Sequence, residues 1–273
     1  MTGLEILMGA GGVLVLTLAG AFFWLDRQFE EPSAKWVPSV AGALGAKSVL
    51  AVFAHPDDEQ LIAGLLIRAV QQDGATTRMI TATKGEAGTP LPQISRLEEL
   101  GTIRHAEVLK NGYALGIHEQ HVWDYPDGGL VDQDFEALVS RVQDQIKIWQ
   151  ADLIISFWPA SGFSDHQDHK TIGAATVEAV KRLRETDPDA APKAIAYILA
   201  PSAMMKRLGG ELGKTVVANQ PAPTHAMPGE GWAKIKGWDN HASQKGYVQK
   251  TYGMPPSLIH RLYDKENYYI DEF

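Results

Sequence analysis

Apolar residues recur along the chain in two alternating patterns. Short, nearly continuous runs, VLAVFA (49–54), TRMITAT (77–83), HVWDY (121–125), DLIISF (152–157), AIAYILA (194–200) and TVVAN (215–219), read as buried strands. Between them lie longer segments with helical spacing. Residues 60–70 place Leu61, Leu65, Leu66 and Ala69 on one face, and 94–112, 132–150, 168–185 and 231–249 continue the pattern. This alternation predicts an α/β, Rossmann-like domain with a mostly parallel sheet flanked by helices. Its sites are expected outside the carboxyl ends of the strands.

The N-terminus follows another rule. Residues 4–25, LEILMGAGGVLVLTLAGAFFWL, carry Glu5 as their only charge, and at about 1.5 Å per residue they match the roughly 30 Å core of a bilayer. No Lys or Arg precedes them, as a cleaved signal peptide would require. Residues 1–25 are therefore expected to be one transmembrane helix. Arg27 and Lys35 after it, against the uncharged-to-acidic MTGLE before it, place the following domain on the cytoplasmic side. The small, Pro-containing stretch 26–47 reads as a linker, and 48–273 as the domain. GALGAKS (42–48) imitates a phosphate loop, but Ala46 stands where Gly must precede the Lys, and the strand follows instead of leading.

Composition narrows the chemistry. With 273 residues and 45% hydrophobic content the chain can bury a full core. A net charge of −8 and scattered basic residues give no footprint for nucleic acid. There is no cysteine, so any metal must rest on His, Asp and Glu. Oligomeric state is not legible.

Two turns concentrate such residues. VLAVFAHPDDEQLIAG (49–64) ends an apolar strand with His55, Asp57, Asp58 and Glu59 before a helix; WPASGFSDHQDHKTIG (158–173) repeats the design with His166, Asp168 and His169. Acids at a helix start also serve as caps, and one acid would meet that need. In a parallel sheet both turns emerge on one edge, so His55, Asp58 and His169 could converge on one ion with a position left open for water.

AHPDDE (54–59) with HQDH (166–169) resembles the PIG-L/LmbE-like zinc-dependent deacetylases, which act on N-acetylglucosaminyl conjugates. TATKGEAG (81–88), Arg104 with Glu107, LGI (115–117), YPDGG (125–129) and HASQ (241–244) extend the resemblance over roughly 48–250, with Gln167 standing where Pro is common. The resemblance implies His55, Asp58 and His169 as ligands of Zn²⁺, with Fe²⁺ also suited to two His and one carboxylate. It implies Asp57 as general base, His166 as second catalytic residue with Asp168 orienting it, and Arg104 and Asp127 as substrate contacts. On generic grounds Arg104 would be a solvated charge paired with Glu107, Asp127 a turn residue and Asp168 a cap. A lipid-linked substrate would explain a membrane anchor.

Two other readings compete. A serine hydrolase lacks the G-x-S-x-G elbow, and Ser164, Asp165 and His166 are adjacent in the chain. A catalytically silent, membrane-tethered sugar-binding module would normally have lost Asp57 or a ligand, and the set is complete.

Overall fold

The computed structural model describes residues 3–273, with side chains from residue 15 onward. Eight strands among the described residues, β1 (Lys35–Trp36), β2 (Ser48–Phe53), β3 (Thr76–Thr83), β4 (Glu119–Tyr125), β5 (Leu153–Phe157), β6 (Ala194–Leu199), β7 (His225–Pro228) and β8 (Lys265–Glu272), form one sheet in the order β1-β7-β8-β6-β5-β2-β3-β4. β2 lies parallel to both β3 and β5, β4 and β6 extend the sheet in parallel on either side, and β8 runs antiparallel to its neighbours β6 and β7. Chain order therefore reverses direction across β2, and a sheet of this kind opens its crevice at that switch point.

The central strands form where the sequence is apolar on both faces. Val49 to Phe53 and Leu153 to Phe157 are completely buried, as parallel strands covered by helices on both sides must be. Each such Val, Leu or Ile contributes about 1.5–3 kcal/mol by leaving water. The helices are α1 (Gly3–Arg27), α2 (Val40–Ala43), α3 (Ala63–Gln71), α4 (Leu100–Leu115), α5 (Phe135–Trp149), α6 (Gly162–Asp165), α7 (Gln167–Thr186), α8 (Ser202–Leu208), α9 (Gly210–Ala218), α10 (Gly231–Asn240), α11 (Lys245–Tyr252) and α12 (Pro256–Leu262). α7 packs on β2 and β5 beside α5, while α3 packs against β3, β7 and β8 beside α4 and α10.

One close approach sets the position of α7. A Cβ on Gly173 would lie 2.5 Å from the carbonyl oxygen of Phe157, so only glycine lets the helix seat this near the end of β5. His169, one turn earlier, is thereby laid flat on the Phe157 ring, 4.0 Å between centroids and 4° between planes.

Several expectations are corrected. TVVAN is not a strand but the end of α9, because Val216 alone turns into the core and Thr215 Oγ1 bonds back to the carbonyl of Glu211 within the helix. The single helix expected over 231–249 is two, α10 and α11, broken where His241 and Ser243 turn inward to buried carboxylates. Residues 26–47, expected as a linker, pack onto the domain: Phe29 stacks on Tyr263, Val40 and Ala41 are fully buried, and Lys35–Trp36 pair with β7 at the sheet edge. The small residues of this stretch allow close packing, with Ala41 and Ala46 buried.

The expected membrane helix coincides with α1. Among the described residues, no helix is long and apolar enough to cross a membrane. Of residues 4–25, those from 4 to 14 lie outside the residues whose side chains are described. In the remainder, Val15, Leu16, Leu18, Phe22, Phe23 and Trp24 are exposed.

Candidate metal and catalytic site

The loops after β2, β3, β4 and β5 meet at the carboxyl edge of the sheet and bring both His/Asp turns together. His55 follows β2, and its Nδ1 lies 3.1 Å from His169 Nε2 at the start of α7. Asp58 Oδ1 is 3.3 Å from the same His169 nitrogen, and Asp58 Oδ2 is 3.8 Å from His55 Nδ1. Asp58 is held there because Oδ2 also accepts the backbone N–H groups of His55 and Ala54, at 2.8 and 3.1 Å.

The far side of each imidazole fixes what the near side offers. His169 Nδ1 faces the carbonyl of Gly162 at 2.8 Å, an acceptor only, so it carries the proton and leaves a lone pair on Nε2. His55 Nε2 faces Asp127 Oδ1 at 3.0 Å and Asp168 Oδ2 at 3.2 Å and is likewise the donor, leaving a lone pair on Nδ1. Two lone pairs thus confront each other beside a carboxylate, an arrangement that is repulsive until a proton or a cation lies between them. Burial opposes a charge on His55, yet its hydrogen bonds to Asp127 and Asp168, with the Asp58 and Asp127 charges, outweigh it and push its pKa up to about 10, so a proton fills that place when no metal does. For Asp58 burial is outweighed by His169 and His55, which hold its carboxyl far below the usual range. Tetrahedral zinc with bonds of 2.0–2.1 Å to nitrogen spaces its ligand atoms about 3.3 Å apart, so the donors present fit such an ion. His166 completes a group of three imidazoles whose nitrogens lie within 4.8 Å, and it is exposed.

Asp57 sits in a left-handed turn, φ 96°, which is uncommon for a residue other than glycine and is found where a side chain must be aimed. Burial raises its pKa to about 6, with Arg104 acting in the opposite direction. Arg104 is buried and not the solvated partner of Glu107: it donates to the carbonyls of Gly85 (2.7 Å) and Pro56 (2.6 Å) and to Asp57 Oδ2 (3.2 Å). Gly85, at φ +67°, leaves room for the guanidinium, since a Cβ there would collide with it. Asp127 is also engaged by the protein, through His55 and through the N–H of Ala87 at 3.0 Å. Both residues expected to touch substrate are thus bonded within the protein, Arg104 to Asp57 and Asp127 to His55.

Asp168 departs further from expectation. Its carboxylate bonds His55 Nε2 and the N–H groups of Gly128 (2.7 Å) and Leu130 (3.1 Å), and it does not orient His166. Instead His166 Nδ1 accepts the N–H of Asp168 at 3.2 Å, so Nε2 bears the hydrogen. Burial, then His55 and His169, lower the His166 pKa. Because metal-bound histidines depend on such far-side carboxylates, Asp168→Asn is expected to weaken metal affinity about 10- to 100-fold. Competition with a chelator measures it, and unchanged affinity would remove Asp168 from this support.

Ser164 Oγ lies 3.2 Å from His169 Nδ1, but that nitrogen already holds a proton engaged by Gly162, so it cannot take the serine's. His169 is therefore no base for Ser164. Glu59, read only as a capping acid, is fully buried and bonded to Asn111 and to His241; nothing local in the sequence announces partners 52 and 182 residues away.

The family model described as PIG-L, GlcNAc-PI de-N-acetylase, matches residues 50–180, a span that holds His55, Asp57, Asp58, His166, Asp168 and His169. Residues 50–180 form a PIG-L family domain. The chain is similar to a 1D-myo-inositol 2-acetamido-2-deoxy-alpha-D-glucopyranoside deacetylase of Corynebacterium urealyticum, 28% identical over 180 residues, covering 56% of this chain and 53% of that one. A probable N-acetyl-alpha-D-glucosaminyl L-malate deacetylase 2 of Bacillus cereus is 29% identical over 175 residues, 63% of this chain and 75% of that one. The chain spans about half the length of the inositol-glycoside relatives it matches. Among solved structures, the 4-carboxy-2-hydroxymuconate hydratase of Pseudomonas putida shares the fold at a TM-score of 0.57, with 14% identity, covering 82% of this chain and 95% of that one. The fold therefore carries more than one chemistry, and the PIG-L domain's function must be argued from its site.

Proposed function

We propose that the PIG-L domain is a metal-dependent hydrolase that removes the acetyl group from an N-acetylglucosaminyl conjugate. The observation that carries this reading is the pair of opposed imidazole lone pairs beside Asp58, 3.1–3.8 Å apart, with Asp57 next to them. His55, Asp58 and His169 would hold Zn²⁺ or Fe²⁺, which when bound supplies a Lewis acid for the acetyl carbonyl and lowers the pKa of water.

The remaining steps belong to the chain's own groups. Asp57 takes the proton of the attacking water, held in place through Arg104, and can return it to the departing nitrogen as the C–N bond breaks. Neutral His166 presents its Nε2–H to the carbonyl oxygen as that oxygen gains charge. The sugar class is supported by the names of the relatives. The silent sugar-binding module is the alternative, and the retained Asp57 argues against it. The deciding experiment is metal analysis of the purified protein followed by amine-release assays across N-acetylglucosaminyl compounds; binding without release would favour the silent module.

The finer proposal is a lipid-linked substrate met at the cytoplasmic face of a membrane. Its support is the apolar run of residues 4–25 and the exposed Val15, Leu16, Leu18, Phe22 and Phe23 of α1. Confinement of enzyme and substrate to one surface raises their effective concentration. Because Leu25 and Phe29 pack on the domain, deletion of residues 1–24 is expected to leave folding, metal binding and turnover of a short soluble analogue intact. It should slow the same sugar presented in liposomes. Equal liposome rates for both forms would refute the tethering.

A further inference from the structure

The turn that aims Asp57 is tied to a part of the chain outside the span matched by the family model. Glu59 is fully buried, and each of its oxygens has a task. Oε2 accepts the N–H of Asp57 at 3.1 Å, while Oε1 accepts Asn111 Nδ2 at 2.6 Å and bonds His241 Nε2. His241 is itself fully buried at the break between α10 and α11. Asn111 is braced from the same region, accepting Asn240 Nδ2 at 3.0 Å. The break is pinned a second time, by Glu107, which takes the N–H and Oγ–H of Ser243 at 2.8 and 2.6 Å.

We infer that Glu59 and His241 form a positioning pair for Asp57: the carboxylate grips the Asp57 amide, holds the left-handed turn, and so keeps the candidate base aimed at the reacting centre. The inference rests on the deacetylase reading for its catalytic consequence. A left-handed aspartate is not the conformation the free residue prefers, so something must over-determine it. Arg104 grips the side chain of Asp57 and the carbonyl of Pro56, and Glu59 grips the amide. Neither Glu59 nor His241 is a ligand or a proton carrier here. Their effect on rate arises because a misplacement of about 1 Å at a reacting group costs on the order of 100-fold.

The chemistry of the pair makes a graded test available. Glu59 receives three donors on two oxygens, so Glu59→Gln, which replaces one oxygen with a donor, must lose at least one of them. His241→Gln keeps an N–H donor at a similar reach, whereas His241→Phe keeps the ring volume and loses the donor. With the purified full chain loaded with Zn²⁺, Glu59→Gln and His241→Phe are expected to lower kcat about 10- to 100-fold with KM and metal content unchanged, and His241→Gln to recover most of it. Amide hydrogen exchange at Asp57, read by NMR, should quicken in the two damaged variants and return to the wild-type rate in His241→Gln. That second readout does not depend on the substrate. If the wild type released no amine from any N-acetylglucosaminyl compound, the deacetylase reading would fail by itself, and the exchange rate at Asp57 would still decide the positioning. Should one variant fail to fold, the comparison of the others stands. Wild-type kcat in the folded, metal-loaded variants, or unaltered exchange at Asp57, overturns the inference.

Discussion

His169→Ala is expected to leave the protein folded and free of metal, with amine release abolished. His169 contributes one of the two facing lone pairs, and no neighbouring group can replace it at 3.1 Å from His55 Nδ1: His166 uses its Nδ1 on the N–H of Asp168. Metal content per chain after dialysis against a mild chelator is the measurement, and one ion retained per chain would show that the site lies elsewhere. The affinity of the wild type should also rise with pH. The proton held between the imidazoles, with the His55 pKa at about 10, must leave as the ion enters, so binding weakens about tenfold for each unit of acidification below that value. Asp58 adds no further pH dependence near neutrality, because its carboxyl is held far below the usual range.

Asp57→Asn is expected to keep the metal and lose about 100- to 10,000-fold in kcat, the range a positioned general base supplies. Asn is the right replacement because, with Asp, it is among the few residues that accept a left-handed conformation, so the turn at φ 96° survives and only the proton acceptor is removed. Ala would confound chemistry with strain. Turnover within a few-fold of wild type, at full metal content, would take Asp57 out of the mechanism.

The strand-turn-helix units that carry His55, Asp58 and His169 were legible because each is local. β2 is a continuous apolar run, its turn holds four ionisable residues, and the helix that follows shows its period; the same grammar recurs at β5 and α7. Parallel pairing then brings the two turns to one edge. What was hidden depends on partners distant in sequence. KENYYIDE mixes charged and aromatic residues without clean alternation, and it becomes β8 only because β6 and β7 flank it. EPSAKWVPSV resembles a linker until β7 offers an edge to pair with.

Within the site, identity was easier to read than role. Asp168 and His166 are two residues apart at the start of a helix and point in different directions. The sequence suggests that Asp168 serves the nearer histidine, yet the fold turns it toward His55, 113 residues away. Arg104 and Asp127 were likewise placed near the chemistry by resemblance, but only the structure shows them bonded to Asp57, His55 and the surrounding loops. Glu59 shows the same limit: an acid beside Asp58 looks like a cap until its bond to His241 is seen.

Metal-assisted hydrolysis of an N-acetyl group is the activity proposed for this site. The most direct measurement is product release from an N-acetylglucosaminyl substrate by the full chain, first as purified, then stripped with a chelator, then reloaded with Zn²⁺. Free amine and acetate are expected in equal amounts, with loss of both on stripping and recovery on reloading. Release that persists in the stripped protein, or none after reloading with one ion per chain, would contradict that activity.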